Sequence, residues 1–188
     1  MTALAPLRPE RTQQIFRVVF EALARPGTVQ RLPAADAPPG VAPALLPVLA
    51  LADLDTPVAV LHDADDGWRD AIGTATGAPA AELSDARLVA ALRPLAADEP
   101  GRFATGSAAA PEAAALISLS VPALRGGPDR TLRGPGVPGT RTIAPLGTVA
   151  QLWSARRATA FPAGFDLLLV DPAGQVVGIP RSTRIEED

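Results

Sequence analysis

An α/β domain, with a mixed β-sheet sandwiched by helices, is predicted by three features of the sequence. A stripe of helical period opens the chain, with Ile15, Phe16, Val19, Phe20 and Leu23 at spacings of three and four. Short apolar runs at 57–61, 114–121 and 166–170 read as strands, with helical patterns between them. The chain then closes on two apolar runs joined by a four-residue turn, the pattern of an antiparallel hairpin. No internal repeat and no long linker divides the 188 residues, so a single domain, 1–188, is expected.

The first helix starts at Pro9, whose ring suits a first turn, with Glu10 near the positive end of the dipole. Pro26-Gly27 stops it, and TVQRL (28–32) reads as a short extended piece. Pro33 to Gly40 is a connector rich in turn residues. A second helix is expected from Ala44 to Ala52, kinked or delayed by Pro47. PVAVL (57–61) follows as a buried strand, then a loop over 63–67 and a short helix over 68–73. RLVAA (87–91) fits a strand or a helix. AALISLSV (114–121) is a strand closed by Pro122, and 125–139 is a Gly/Pro-rich stretch with one possible short strand at 131–133. Thr148 to Arg157 is helical, with Val149, Leu152 and Trp153 on one side. DLLLV (166–170), DPAG (171–174) and QVVGI (175–179) complete the hairpin.

Composition excludes several chemistries. The chain has no Cys, so it carries no disulfide, no thiolate nucleophile and no Cys-ligated zinc or iron–sulfur cluster. It has no Lys, so it can form no lysine Schiff base to pyridoxal phosphate and has no P-loop lysine. The net charge of −3 argues against nonspecific nucleic-acid binding. The start lacks a basic segment followed by an apolar one, and the longest apolar stretch, from Val41, is broken by two prolines. A cytoplasmic protein without a membrane segment is therefore expected. The charges are clustered along the chain. Asp53, Asp55, Asp63, Asp65, Asp66 and Asp70 lie in one acidic stretch. Arg125, Arg130, Arg133, Arg141, Arg156 and Arg157 lie in one basic stretch. The basic stretch fits a solvated surface or a face for phosphate or an acidic partner.

Gly134, Gly136 and Gly139 spell G-x-G-x-x-G, but Pro135, Pro138 and the following residues do not open a helix. A Pro/Gly loop is the better reading. His62 with Asp63, Asp65 and Asp66 fits a strand-end histidine beside an acidic loop better than a metal site, since there is no second His. Thr105, Gly106 and Ser107 can offer hydroxyls and backbone N–H groups to an anion, and Arg181-Ser182 leaves the last hairpin strand with a guanidinium and a hydroxyl. With Arg133 these six positions are the candidate anion-binding or interface residues. No residue is expected to be catalytic, to hold a cofactor or to ligate a metal.

The segments FRVVFEALARPGTV (16–29), LALADLDTPVAV (49–60), ATGSAAAPEAAALISLSV (104–121), LRGPGVPGTRTIAP (132–145), FPAGFDLLLV (161–170) and GIPRST (178–183) together resemble one family. It is the PhnH family, whose members serve the bacterial carbon–phosphorus lyase system as one of its subunits. The resemblance runs through nearly the whole chain in one order. It implies a cytoplasmic role in phosphonate degradation and a core complex with subunits G, I and J. That complex displaces adenine from ATP by an alkylphosphonate, giving alpha-D-ribose 1-methylphosphonate 5-triphosphate when the phosphonate is methylphosphonate. It further implies a fold distantly like pyridoxal-phosphate-dependent transferases but without cofactor, and a homodimer when the protein is isolated. The absence of Cys rules this chain out as the component that breaks the C–P bond by radical chemistry. The competing reading is a stand-alone binder or enzyme with an Arg-lined anion site.

Overall fold

The computed structural model describes residues 4–33, 41–63 and 67–187. Helix α1 (Pro9–Ala24) begins with Pro at its first position and Glu10 in its first turn. Both suit the unpaired N–H groups and positive dipole of a helix start. Its core face is narrower than the sequence predicts. Ile15, Val19 and Ala22 are buried, but Phe16 and Phe20 are 51% and 61% exposed and stack on each other at 6.4 Å. Each Phe directly follows a buried residue, which turns it about 100° round the helix and off the core face. Strand β1 (Val29–Arg31) follows, then a 3-10 turn at Pro43–Leu45 leading into α2 (Leu46–Leu51). Pro47 lies in the first turn of α2, where its missing N–H is not needed.

Four parallel strands form the centre: β2 (Val58–Leu61), β3 (Leu88–Ala91), β4 (Leu116–Ser120) and, later in the chain, β7 (Asp166–Val170). Between β2 and β3 lies α3 (Trp68–Thr76), longer than the short helix expected there. The ambiguous run at 87–91 is thus a strand, buried at every position from Leu88 to Ala91. The hairpin forms as expected, with β8 (Gln175–Ile179) antiparallel to β7. Its turn is held by Asp171, whose Oδ1 accepts the N–H groups of Ala173 and Gln175, both at 2.9 Å. β1 pairs antiparallel outside β8, giving the order β1-β8-β7-β4-β3-β2.

Strands β5 (Arg130–Arg133), β6 (Arg141–Ile143) and β9 (Arg184–Glu187) form a second, antiparallel sheet in the order β6-β5-β9. Helix α4 (Ala150–Arg157) lies between β6 and β7 in the chain. Side-chain alternation sorts the interior into two cores. Leu88, Ala90, Leu168, Val170 and Val176 face the layer of α1, α2 and α3. Val89, Ala91, Ile117, Leu119, Leu167, Leu169 and Ile179 face α4 and the small sheet, which contribute Leu152, Trp153, Leu132, Ile143 and Ile185. The fold is α/β with a mixed sheet, as expected, but one of its two covering layers is partly a second sheet. Among the described residues no helix is long and apolar enough to cross a membrane.

Two polar or backbone details lock the helical layer onto the sheet. Ser118 points from β4 into that layer, and its buried hydroxyl donates to the Ala44 carbonyl at 2.6 Å. Gly178 in β8 lies directly against the backbone of α1, where a Cβ would sit 2.5 Å from the Ala22 carbonyl oxygen.

Candidate functional site

The six residues singled out in the sequence fall into two groups. Thr105, Gly106 and Ser107 form a tight turn at the amino end of β4. Thr105 bridges antiparallel to Ala114, and its carbonyl accepts the Gly164 N–H at 2.8 Å. Gly106 adopts φ +62, and a Cβ there would sit 3.0 Å from both the Ala110 oxygen and the Ala114 nitrogen. Ser107 Oγ accepts the Ala110 N–H at 3.1 Å, closing the turn on itself. Arg181 joins this group from the end of β8. Its Nη1 donates to the Pro111 carbonyl at 2.6 Å, and its Nη2 lies 3.1 Å from Asp166 Oδ2. The Arg181 N–H donates to Asp166 Oδ1 at 2.6 Å. Ser107 and Arg181 thus meet one loop, at Ala110 and Pro111, and their polar groups hold that loop.

Arg133 stands on β5 of the small sheet, and Ser182 lies in the turn that leads from β8 to β9. Arg133 Nε is 3.2 Å from Glu186 Oε2, an exposed pair. Gly134 packs so close to the backbone of Ser182 that a Cβ would sit 3.0 Å from its carbonyl. The G-x-G-x-x-G stretch has a structural role as well. A Cβ on Gly136 would sit 2.3 Å from the Ala24 carbonyl, so this loop is pressed against the end of α1. No helix opens in it, in line with the Pro/Gly-loop reading.

The basic stretch of the sequence does not form a single face. Arg130 is buried with its guanidinium 5.0 Å from the Trp153 ring centroid. Arg141 donates to Thr28 Oγ1, and Arg157 lies 3.4 Å from Ser154 Oγ. Arg156, which the sequence does not distinguish from its neighbours, is the buried member of the amino-end cluster. It donates to the carbonyls of Phe165 and of Pro180, the latter at 2.8 Å, and reaches that of Thr183 at 3.5 Å. Burial pushes its guanidinium down to about 10, with Asp166 opposing and Arg181 adding to the shift. It therefore remains charged at neutral pH. Its Nε and the buried Thr183 Oγ1 have no hydrogen-bond partner.

In open α/β sheets ligands commonly bind at the carboxyl ends of parallel strands. Here that end is stapled beyond β3. Arg93 forms a fork with Glu99, at 3.0 and 2.6 Å, and lies 3.6 Å from Asp63. The Ala96 N–H also donates to Glu99, at 2.7 Å. His62 sits at the end of β2, its ring 6.3 Å from that of Trp68, while Asp65 and Asp66 lie outside the described residues. Among the described residues no cluster could hold a metal ion. Burial alone would raise the Glu99 carboxyl, but the Arg93 fork, the Ala96 N–H and the charge of Arg93 outweigh it and hold it below the ordinary value. A carboxylate lowered in the folded state adds stability above its unfolded pKa, about 4.3, and loses it as pH falls through the folded value. Glu99→Gln is expected to cost about 1–3 kcal/mol at pH 7. The gap between the calorimetric Tm values of the two proteins should stay level from pH 7 to about 5 and narrow from about 4.3 down to about 3. A gap that stays constant down to that pH would refute the assignment.

A cleft of about 350 Å³ opens elsewhere, between the β1 edge of the large sheet and the β6 edge of the small one. Val29, Leu124, Ile143, Ala144 and Val177 give it apolar walls, and Arg125, Asp129 and Thr142 are its polar members. Sequence reading missed it because its walls come from distant segments.

The polar groups of Ser107 and Arg181 are thus engaged within an α/β fold, on Ala110, Pro111 and Asp166. A family profile described as "Bacterial phosphonate metabolism protein (PhnH)" matches residues 7–186. The chain belongs to this family. It is also similar to a protein of Rhizobium meliloti (strain 1021) named as the alpha-D-ribose 1-methylphosphonate 5-triphosphate synthase subunit PhnH. The two are 36% identical over 188 residues, which cover 94% of this chain and 90% of the relative.

Proposed function

We propose that the chain is a noncatalytic or contributing subunit of a phosphonate ribosyl-triphosphate synthase, a transferase complex of phosphonate catabolism. The observation that carries this reading is the family match over nearly the whole chain, joined to a relative named as a subunit of such a synthase. In this reading the complex replaces the adenine of ATP with an alkylphosphonate. The chain works in the cytoplasm as one domain, assembles with subunits G, I and J, and pairs with itself when isolated. Its fold is a distant, cofactor-free version of the pyridoxal-phosphate transferase fold, and the absence of Lys removes the Schiff-base chemistry. Thr105, Gly106, Ser107, Arg133, Arg181 and Ser182 then shape contact surfaces, since Arg181 and Ser107 already serve their own loop. The exposed Phe16–Phe20 stack supports a role in contact, because clustered apolar surface commonly marks an interface.

Pull-down of the purified chain with subunits G, I and J at micromolar concentration tests this reading. Stoichiometric capture is expected, and a chain that stays out of the complex rejects it. The stand-alone reading keeps one feature, Arg125 in the inter-sheet cleft, but Asp129 lines the same cleft and offsets its charge. Calorimetry of the isolated chain with ATP and with methylphosphonate is expected to show no micromolar binding. Binding in that range would favour the stand-alone reading.

A further inference from the structure

We propose that the open edge of β1, together with the cleft beside it, receives an extended acidic strand from a partner subunit of the synthase. The inference rests on the assembly reading above and names the surface that serves it.

The backbone supplies the first part. Leu32 N–H donates to the Gly174 carbonyl at 2.8 Å, and the register places Gln30 opposite Val176. Hydrogen-bonded pairs alternate along an antiparallel ladder, so Gln30 and Leu32 face β8 while the N–H and C=O groups of Val29 and Arg31 point the other way. Among the described residues no strand pairs with β1 on that side. An unpaired edge of this kind is a template for strand addition.

Side chains supply the second part. Val29 stands opposite Val177, and both line the cleft. Val29 is 42% exposed at the end of a three-residue strand. The cleft walls are apolar at Val29, Leu124, Ile143 and Val177. An added strand would place one side chain beside Val29 over this cleft and the next side chain of the same face beside Arg31. Arg31 and Arg125 are exposed, as is Asp129, so the rim is net positive. The geometry therefore selects a segment with an apolar residue for the cleft and a carboxylate two positions away for Arg31.

Val29→Pro tests the backbone part. It removes an outward N–H and no bond to β8, and proline is tolerated on strand edges. Arg31→Glu tests the charge part on an exposed side chain. Each variant is mixed with subunits G, I and J, and its affinity is compared with that of the wild type by titration. Both are expected to retain the wild-type circular dichroism spectrum and to bind at least about tenfold more weakly, with wild-type binding weakened by salt. Folded variants that enter the complex with wild-type affinity overturn this inference and leave the assembly reading standing. A wild-type chain that never enters overturns both. If Val29→Pro fails to fold, Arg31→Glu decides the matter. A variant that becomes monomeric yet still assembles normally shows that a second copy of this chain takes the edge, which also overturns the proposal.

Discussion

Arg156→Ala is expected to lower stability by about 3 kcal/mol, or roughly 6–12 °C in Tm for a chain of this size. Arg156 stands on the last turn of α4 and is buried, with its fork directed at the carbonyls of Phe165 and Pro180. Those carbonyls belong to the segments that enter β7 and leave β8. Its guanidinium also lies 5.6 Å from the Phe165 ring centroid. Truncation leaves two acceptors without a donor in a buried place, at about 1–3 kcal/mol each, and opens a cavity over Phe165. Removal of a desolvated charge offsets part of that loss. Arg156→Met separates these effects. It keeps much of the packing volume and removes the charge but returns no donor, so it should fall between Ala and wild type. Arg156→Lys should recover less than half of the loss, because one ammonium cannot reproduce the spread of the fork. Thermal unfolding of the three variants checks this order. An Arg156→Ala protein within about 2 °C of wild type would refute the role assigned to the fork.

Arg156 also marks where sequence reading ends. Its hydrogen-bond partners are backbone carbonyls, which no side-chain pattern records, so the sequence places it with its neighbours in one basic stretch. Local signals fared better. Pro9 and Pro26-Gly27 bracket α1, and the Asp-Pro-Ala-Gly turn closes the β7–β8 hairpin, because each depends on residues within a few positions. The small sheet was mostly hidden. Thr131 to Arg133 reads as a possible strand, but β5 pairs with β9 about fifty residues later, Leu132 opposite Ile185, and β9 carries too few apolar residues to announce itself. Phe16 and Phe20 misled in the other direction. Apolar spacing cannot separate a core face from an adjacent exposed apolar strip, and only the position of the sheet under Ile15, Val19 and Ala22 decides. Thr105–Ser107 and Arg181 were legible as polar residues at loop positions. That Ser107 and Arg181 would serve one loop was not, since it depends on β7 standing next to β4 and β8.

Gly178→Ala is expected to cost about 2–3 kcal/mol, and Gly178→Val more, because the methyl group would enter occupied space. A Cβ here would lie 2.5 Å from both the carbonyl carbon and the oxygen of Ala22, and 2.8 Å from the nitrogen of Leu23. These are backbone atoms of a helix, so no rotamer change can relieve the overlap. Helix α1 would have to lift off β8, loosening Ile15 and Ala22, which are fully buried, against Val176 and Leu168. The same lift would strain the exit from α1, where the Gly27 N–H donates to the Gly178 carbonyl at 3.1 Å just before β1 begins. Gly101→Ala is the matched control, since a Cβ there has nothing within 4 Å and its φ is not positive. It should change stability by no more than about 0.5 kcal/mol. Chemical denaturation of the two variants is expected to show a clear fall in midpoint for Gly178→Ala and little change for Gly101→Ala. Equal midpoints would mean that α1 does not press on β8 as described. A fall in stability with a further loss of subunit capture would tie the seating of α1 to the β1 edge, because the two are joined through Pro26 and Gly27.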